Sequence, residues 1–133
     1  FLKSDGWESG EELMFRRLGV EWLKGGDGFV RRPENEQSRD CARTAWVRAA
    51  AELRTGAYQL LVLDEITLPI GFGWIDAQEV IGAVRDRAPG TNVILTGRRA
   101  PASLVEIADA VTEMVKVRHP YDSGIFARAG IDY

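Results

Sequence analysis

The chain has 133 residues, of which 45% are hydrophobic and 28% charged, and its formal net charge at pH 7 is -3. This length and composition predict a single soluble globular domain over residues 1–133. The acidic balance argues against nucleic acid as a partner, and the absence of a long apolar run argues against a membrane. Cys41 is the only cysteine, which excludes an internal disulfide and makes the cytoplasm the expected compartment.

Hydrophobic periodicity predicts alternating strands and helices along the whole chain. Apolar residues spaced by three or four indicate helices, and short aliphatic or alternating runs indicate strands. This alternation is typical of a doubly wound, mostly parallel sheet. The predicted strands are a remnant at 1–2 and runs at 20–23, 60–63, 91–95 and 111–117. A helix is predicted between each pair of successive strands. The first follows Ser9 and ends before Gly19, the next two span about 40–54 and 76–87, and the last begins at Pro101 and includes Ile107 and Ala108.

Several residues have the spacing of helix ends. Asp76 and Glu79 are expected to form a capping pair at the start of one helix, and Gly56 is expected to end the helix before it. The apolar, glycine-containing stretch 68–74 is predicted to be a loop or broken helix that lies over the ends of the strands.

The most informative stretch is the aliphatic run that ends at Asp64 and Glu65. Four successive aliphatic residues predict a strand buried on both faces, as in a parallel sheet covered by helices. Ligands of open α/β sheets bind beyond the carboxyl ends of the strands, where two carboxylates provide the hard oxygen ligands of Mg²⁺. The pattern is that of a Walker B strand, although an ordinary strand followed by a polar turn has the same pattern.

The next predicted strand ends at Thr96, Gly97 and Arg98. If the two strands are neighbours, a guanidinium for phosphate oxygens and carboxylates for a metal meet at one edge, as a nucleoside triphosphate site requires. The chain contains no Gly-x-x-x-x-Gly-Lys-Ser/Thr motif, so the phosphate cradle of a P-loop enzyme is missing from it.

With these residues in hand, the chain resembles the P-loop type of ATP:corrinoid adenosyltransferase. The resemblance covers essentially the whole chain and is most specific in its last third. It rests on Phe1-Leu2-Lys3-Ser4 with Trp7 and Gly10-Glu11, on Gly28-Phe29 with Glu34-Asn35, on Val62-Leu63-Asp64-Glu65, on Thr96-Gly97-Arg98 with Ala100-Pro101, and on Asp109, Val111-Thr112-Glu113-Met114, His119-Pro120, Asp122, Gly124-Ile125 and Gly130-Ile131-Asp132-Tyr133.

The resemblance implies a RecA-like P-loop fold that lacks its N-terminal strand and P-loop in this chain. It implies transfer of the 5′-deoxyadenosyl group of MgATP to the cobalt of a reduced corrinoid, with release of triphosphate. By the match, Glu65 and Asp64 would hold Mg²⁺, and Thr96, Gly97 and Arg98 would lie near the phosphates of ATP. Gly28, Phe29 and Asn35 would belong to the corrinoid loop.

The resemblance also implies partners: a reducing flavoprotein that supplies electrons, and a second copy in a homodimer. Two alternatives remain open at this point. Arg31 stands where the family often has a tryptophan, which favours a non-catalytic relative that binds a corrinoid or nucleotide. The strand-end motifs also fit a P-loop NTPase of another kind, which would release ADP and phosphate.

Overall fold

The computed structural model describes residues 10–26, 35–126 and 128. The chain divides into two compact units: the larger includes residues 23–109 and the smaller includes residues 6–22 and 110–133. Both strands of the described residues lie in the larger unit. The single domain expected from chain length stays a prediction.

The larger unit is built on two parallel strands that are more than thirty residues apart in the sequence. β1 spans Leu60–Leu63 and β2 spans Asn92–Leu95, and they pair in register from Leu60 opposite Asn92 to Leu63 opposite Leu95. Both strands are parallel and lie where the sequence predicts them. Since their carboxyl ends lie side by side, the residues after Leu63 and after Leu95 meet at one edge of the sheet.

The two faces of this sheet differ in burial. Along each strand, exposed and partly buried residues alternate, because successive side chains point to opposite faces. The prediction of a strand buried on both faces is wrong for β1, since Leu60 and Val62 are each 51% exposed. In the described residues, helices cover one face only, and aliphatic composition alone cannot show which layers are present. The partly buried residues on the covered face are Leu61, Leu63, Val93 and Leu95.

Four helices accompany the strands in the described part of the larger unit. They are α2 (Glu36–Thr55), α3 (Thr67–Gly71), α4 (Ala77–Arg85) and α5 (Ala102–Val105). The predicted broken helix over the strand ends corresponds to α3, which begins four residues after β1. The buried core is made by Trp46 and Leu53 of α2, Ile66, Ile70 and Ile75 around α3, Val80, Ile81 and Ala83 of α4, and Leu104 of α5.

α2 begins four residues earlier than its apolar spacing predicts, because Asn35 caps it. Asn35 Oδ1 accepts a 3.1 Å hydrogen bond from the backbone N–H of Ser38, which satisfies one free donor of the first turn. Gly56 ends the helix with a φ of 69°, a left-handed conformation that favours glycine. The predicted end of α2 is thereby confirmed.

The predicted capping pair of α4 is half right. Asp76 is the N-cap, and its Oδ1 accepts a 2.9 Å hydrogen bond from the backbone N–H of Gln78. Glu79, however, does not complete a reciprocal cap. Its carboxylate accepts hydrogen bonds from Trp46 Nε1 and from Arg43 Nη1, both at 3.1 Å, so it joins α4 to α2 instead.

α5 is shorter than predicted. It spans only Ala102–Val105, whereas the predicted helix also included Ile107 and Ala108. The loop that ends it has a backbone hydrogen bond from Ala108 N–H to the carbonyl of Val105, a three-residue spacing rather than an α-helical one.

The smaller unit contains α1 (Gly10–Leu18) and a short 3₁₀-helix (Pro120–Ser123) in its described part. Gly19 follows α1 with a φ of 67°, as its predicted C-terminal role requires. His119 is the N-cap of the 3₁₀-helix, and its Nδ1 accepts a 3.1 Å hydrogen bond from Tyr121 N–H. None of the helices in the described ranges is long and apolar enough to span a bilayer.

Two predicted strands are absent from the described residues. Residues 20–23 and 111–117 have no strand structure, although both segments alternate apolar and polar residues. A strand needs a partner that satisfies its backbone N–H and C=O groups, and periodicity does not supply one. The predicted strand remnant at 1–2 lies outside the described residues.

Candidate functional site

The two predicted motifs meet at the carboxyl edge of the sheet. The backbone N–H of Thr96 donates a 3.2 Å hydrogen bond to the carbonyl of Leu63, which continues the β1–β2 pairing by one residue. Asp64 and Thr96 therefore leave their strands side by side. We call Asp64, Glu65, Thr96, Gly97 and Arg98 the strand-end cluster.

The hydroxyl of Thr96 is the centre of this cluster. It donates a 2.6 Å hydrogen bond to Asp64 Oδ1 and accepts a 2.9 Å hydrogen bond from the backbone N–H of Glu65. The distance to Asp64 is in the range of a charge-assisted O–H···O⁻ bond, which is stronger than a neutral one. A single side chain thus links the ends of two strands that are separated by more than thirty residues in sequence.

Glu65 has an unusual backbone conformation. Its φ is 59°, a left-handed conformation that few residues other than glycine adopt. The carbonyl of Glu65 accepts a 3.0 Å hydrogen bond from Leu68 N–H, so hydrogen bonds hold the backbone on both sides of this residue. Its carboxylate is partly buried and has no hydrogen bond or ion pair to any described residue. Within residues 10–26, 35–126 and 128, the charge of this carboxylate is therefore not paired.

A second hydroxyl fixes the loop after β2. Thr67 Oγ1 donates a 2.8 Å hydrogen bond to the carbonyl of Arg98 and is itself buried. Gly97 lies against this side chain with a φ of 138°, and a methyl group at Gly97 would overlap Thr67 Oγ1. The backbone of Arg98 is therefore held against the start of α3, while its side chain is exposed to solvent.

The cluster combines negative oxygen donors with a cation. No group of three or more His, Cys, Asp or Glu residues that could hold a metal occurs among the described residues. Magnesium, however, is commonly held by only one or two carboxylates, and water and substrate phosphates complete its octahedron. Asp64 and Glu65 fit that donor set, and Arg98 offers the planar guanidinium that binds phosphate oxygens.

Of the remaining predicted site residues, Asn35 is the one that the described ranges include. Asn35 lies at the N-terminus of α2, where its side chain caps the helix. Gly28 and Phe29 lie outside the described residues. Sequence reasoning missed Thr67 altogether, because a threonine two residues after an acidic pair forms no recognisable motif until the fold places it under Arg98.

The sequence comparisons identify the family of the chain. The family model described as ATP:corrinoid adenosyltransferase BtuR/CobO/CobP matches residues 1–133. The chain belongs to this family. It is 33% identical to the corrinoid adenosyltransferase of Escherichia coli K12 over 134 residues, a match that covers all of this chain and 68% of that protein.

Two further adenosyltransferases give similar values. The chain is 37% identical to a corrinoid adenosyltransferase of a Sinorhizobium species and 32% identical to the corrinoid adenosyltransferase CobA of Salmonella typhimurium LT2. Each match covers all of this chain, together with 64% and 68% of the respective relative. The chain thus spans about two thirds of the length of these adenosyltransferases. The family and enzyme class that the resemblance implied are confirmed.

Proposed function

We propose that this adenosyltransferase transfers the 5′-deoxyadenosyl group of MgATP to the cobalt of a reduced corrinoid, in cobalamin biosynthesis or salvage. One observation carries the proposal at the level of the site. Asp64, Glu65 and the loop of Arg98 lie at one sheet edge: the Thr96 hydroxyl joins the Asp64 carboxylate to the Glu65 backbone N–H, and the Thr67 hydroxyl holds the Arg98 carbonyl. That arrangement suits a triphosphate together with its counter-ion.

The proposed reaction is a nucleophilic substitution at carbon. The electron pair of Co(I) forms the cobalt–carbon bond with the ribose 5′ carbon, and the bond from that carbon to the triphosphate oxygen breaks. The oxygen keeps the bonding pair, so triphosphate leaves intact. No side chain needs to act as a nucleophile. Catalysis then rests on alignment of two substrates and on stabilisation of charge on the leaving group.

Arg98 is the residue of this chain that we expect to bind the triphosphate. Its side chain is exposed and has no partner in the described part of the chain, whereas its backbone carbonyl is fixed by Thr67. A guanidinium on a fixed backbone offers paired N–H donors to phosphate oxygens as negative charge grows on them. Gly97 permits the tight approach of this loop to α3.

Asp64 and Glu65 would hold Mg²⁺, which would neutralise part of the charge on the triphosphate. Both side chains are only partly buried, so that a hydrated ion could reach them. Asp64 Oδ1 accepts the Thr96 hydrogen bond, which leaves Oδ2 for the ion, and Glu65 has its whole carboxylate available among the described residues.

The other parts of the proposal extend beyond the cluster. We propose that Phe29, with Gly28 and Asn35, contacts the corrinoid and excludes a lower cobalt ligand. A reducing flavoprotein would supply the electrons, and a cytoplasmic homodimer would be the working form. For the fold, we propose the RecA-like, doubly wound sheet. The exposed aliphatic face of Leu60, Val62 and Ile94 supports it, because parallel sheets normally carry helices on both faces.

An anaerobic assay tests the function directly. The protein is mixed with MgATP, a corrinoid and a strong reductant, and cobalt–carbon bond formation is followed by absorbance. Product together with intact triphosphate supports the proposal. A folded protein that binds the corrinoid without forming product would instead be a binding relative, and release of ADP and phosphate would indicate an NTPase of another kind.

A further inference from the structure

We infer that Thr96 is a positioning residue that orients Asp64 and the backbone of Glu65 toward a divalent cation, and that it is not a phosphate ligand. The inference adds a role for one residue of the proposed site. It rests on the proposed function for the reaction that the site catalyses, whereas the orientation of Asp64 and Glu65 is argued from the structure. It changes the role that the sequence resemblance implied for Thr96, which was a contact with ATP.

The hydrogen-bonding capacity of the hydroxyl is the first argument. A threonine side chain has one proton to donate and two lone pairs that accept. The proton points to Asp64 Oδ1, and one lone pair accepts from the Glu65 N–H. Phosphate oxygens at neutral pH are acceptors, so Thr96 could bind one only by giving up Asp64. The exchange would leave a partly buried carboxylate without its donor, at a cost in affinity.

The conformation of Glu65 is the second argument. A left-handed backbone at a residue other than glycine persists only when its surroundings hold it, and such residues occur disproportionately at functional sites. In this protein, the Thr96 hydroxyl holds the N–H of Glu65, and Leu68 N–H holds its carbonyl. Without the hydroxyl, one of these two restraints on the Glu65 backbone is lost, and the residue is freer to leave this conformation.

The pairing of the strands is the third argument. Thr96 is the first residue after β2, and its N–H still bonds to the last carbonyl of β1. The hydroxyl therefore starts from a fixed backbone position, set by the sheet rather than by a loop. A rigid donor of this kind selects one rotamer of Asp64 and presents Oδ2 to a ligand. Groups that orient metal-binding carboxylates in this way commonly contribute 10–100-fold to metal affinity or activity.

The test compares Thr96→Val, which keeps the shape and loses the hydroxyl, with Thr96→Ser, which keeps the hydroxyl and loses the methyl group. Mn²⁺ is titrated into each protein without nucleotide, and free Mn²⁺ is measured by electron paramagnetic resonance. We expect Thr96→Val to weaken Mn²⁺ binding by about 10- to 100-fold and Thr96→Ser to restore most of it. If the valine variant does not fold, as judged by circular dichroism, Thr96→Ala is measured in its place.

A cycle with Asp64→Asn separates positioning from a general structural effect. If Thr96 acts through Asp64, removal of the hydroxyl in the Asp64→Asn background should weaken Mn²⁺ binding much less than it does in the wild type. An equal loss in both backgrounds would show that Thr96 does not act through Asp64 and would overturn that part of the inference. Unchanged Mn²⁺ affinity in Thr96→Val, combined with a raised KM for ATP, would also overturn it and would identify a phosphate ligand.

The metal titration also keeps this inference distinct from the proposed reaction. Failure of adenosyl transfer, with Mn²⁺ binding that still depends on the Thr96 hydroxyl, would refute the reaction and support the positioning role. If the wild type transfers the adenosyl group but Thr96→Val binds Mn²⁺ as tightly as the wild type does, the reaction is supported and the positioning role is refuted. Absence of any Mn²⁺ binding by the wild type would overturn the positioning role toward a cation.

Discussion

Gly97 lies so close to Thr67 that a methyl group at Gly97 would overlap the Thr67 hydroxyl oxygen. The same hydroxyl donates its hydrogen bond to the carbonyl of Arg98, one residue further along the chain. The close approach of the Gly97 backbone to the Thr67 side chain and the hydrogen bond from that side chain are therefore parts of one contact. It holds the loop after β2 against the first turn of α3, and with it the residue expected to bind phosphate.

We predict that Gly97→Ala lowers the free energy of unfolding by about 1–3 kcal/mol, because the added methyl group collides with Thr67 and because alanine is strained at a φ of 138°. Urea unfolding provides the measurement. Gly90→Ala is the control, since Gly90 also has a positive φ, of 89°, but open space around it. If Gly97→Ala lowers the free energy of unfolding no more than Gly90→Ala does, the predicted collision is contradicted.

The Glu65 carboxylate is expected to be required for magnesium-dependent turnover. Glu65→Gln keeps the size of the side chain and removes the charge that would bind the ion. The rate of cobalt–carbon bond formation should fall by about 100-fold or more at moderate Mg²⁺ concentrations. Loss of a residue that hydrogen-bonds to a metal ligand commonly costs about 10- to 100-fold, and loss of the ligand itself should cost more. Glu106→Gln, an exposed carboxylate at the end of α5, is the matched control and should retain the rate. Full activity of Glu65→Gln would remove this residue from the metal site.

For Arg98, the prediction concerns ATP rather than stability. Arg98→Ala should raise the KM for ATP roughly 10- to 100-fold, because hydrogen bonds to charged groups contribute about 1.5–3 kcal/mol each. The KM of Arg98→Lys should lie between those of the wild type and Arg98→Ala, since lysine keeps the charge but loses the paired donors. Arg85→Ala, which removes an exposed arginine of α4, is the control. If both alanine variants have the same KM, Arg98 does not bind the triphosphate.

The contact between α2 and α4 makes a prediction about stability alone. Trp46 is 3% exposed and donates its indole N–H to Glu79, whereas the ion pair of Glu79 with Arg43 is 44% exposed on each side. Glu79→Ala should lower the free energy of unfolding by about 1–3 kcal/mol, because it leaves a buried donor without a partner. Arg43→Ala should cost less than about 1 kcal/mol, since exposed ion pairs are weak.

Thermal and urea unfolding of Glu79→Ala, Arg43→Ala and Glu79→Gln measures how much the buried hydrogen bond and the exposed ion pair each contribute to stability. Glutamine keeps a carbonyl oxygen for the Trp46 N–H and loses only the charge, so we expect it to resemble Arg43→Ala. If Arg43→Ala lowers the free energy of unfolding more than Glu79→Ala does, the ion pair contributes more to stability than the buried hydrogen bond, and the prediction is contradicted.

Local chemistry in the sequence determined the two strands, the end of α2 at Gly56 and the cap of α4 at Asp76. Each depends on neighbours within a few residues: an aliphatic run, a left-handed glycine, or an oxygen that accepts a nearby N–H. The family was also accessible from the sequence, since the matching motifs extend along the whole chain. These features need no knowledge of what the chain packs against.

Only the tertiary structure decided which residue contacts which across the sheet edge and between helices. The partner of Asp64 is Thr96 and the partner of Arg98 is Thr67, each about thirty residues away, because parallel pairing in one register brings their backbones together. Glu79 has the spacing of a cap, yet the packing of α2 gives it the buried Trp46 N–H instead. The predicted strands at 20–23 and 111–117 failed for a similar reason: pairing depends on a partner that an alternating pattern does not specify.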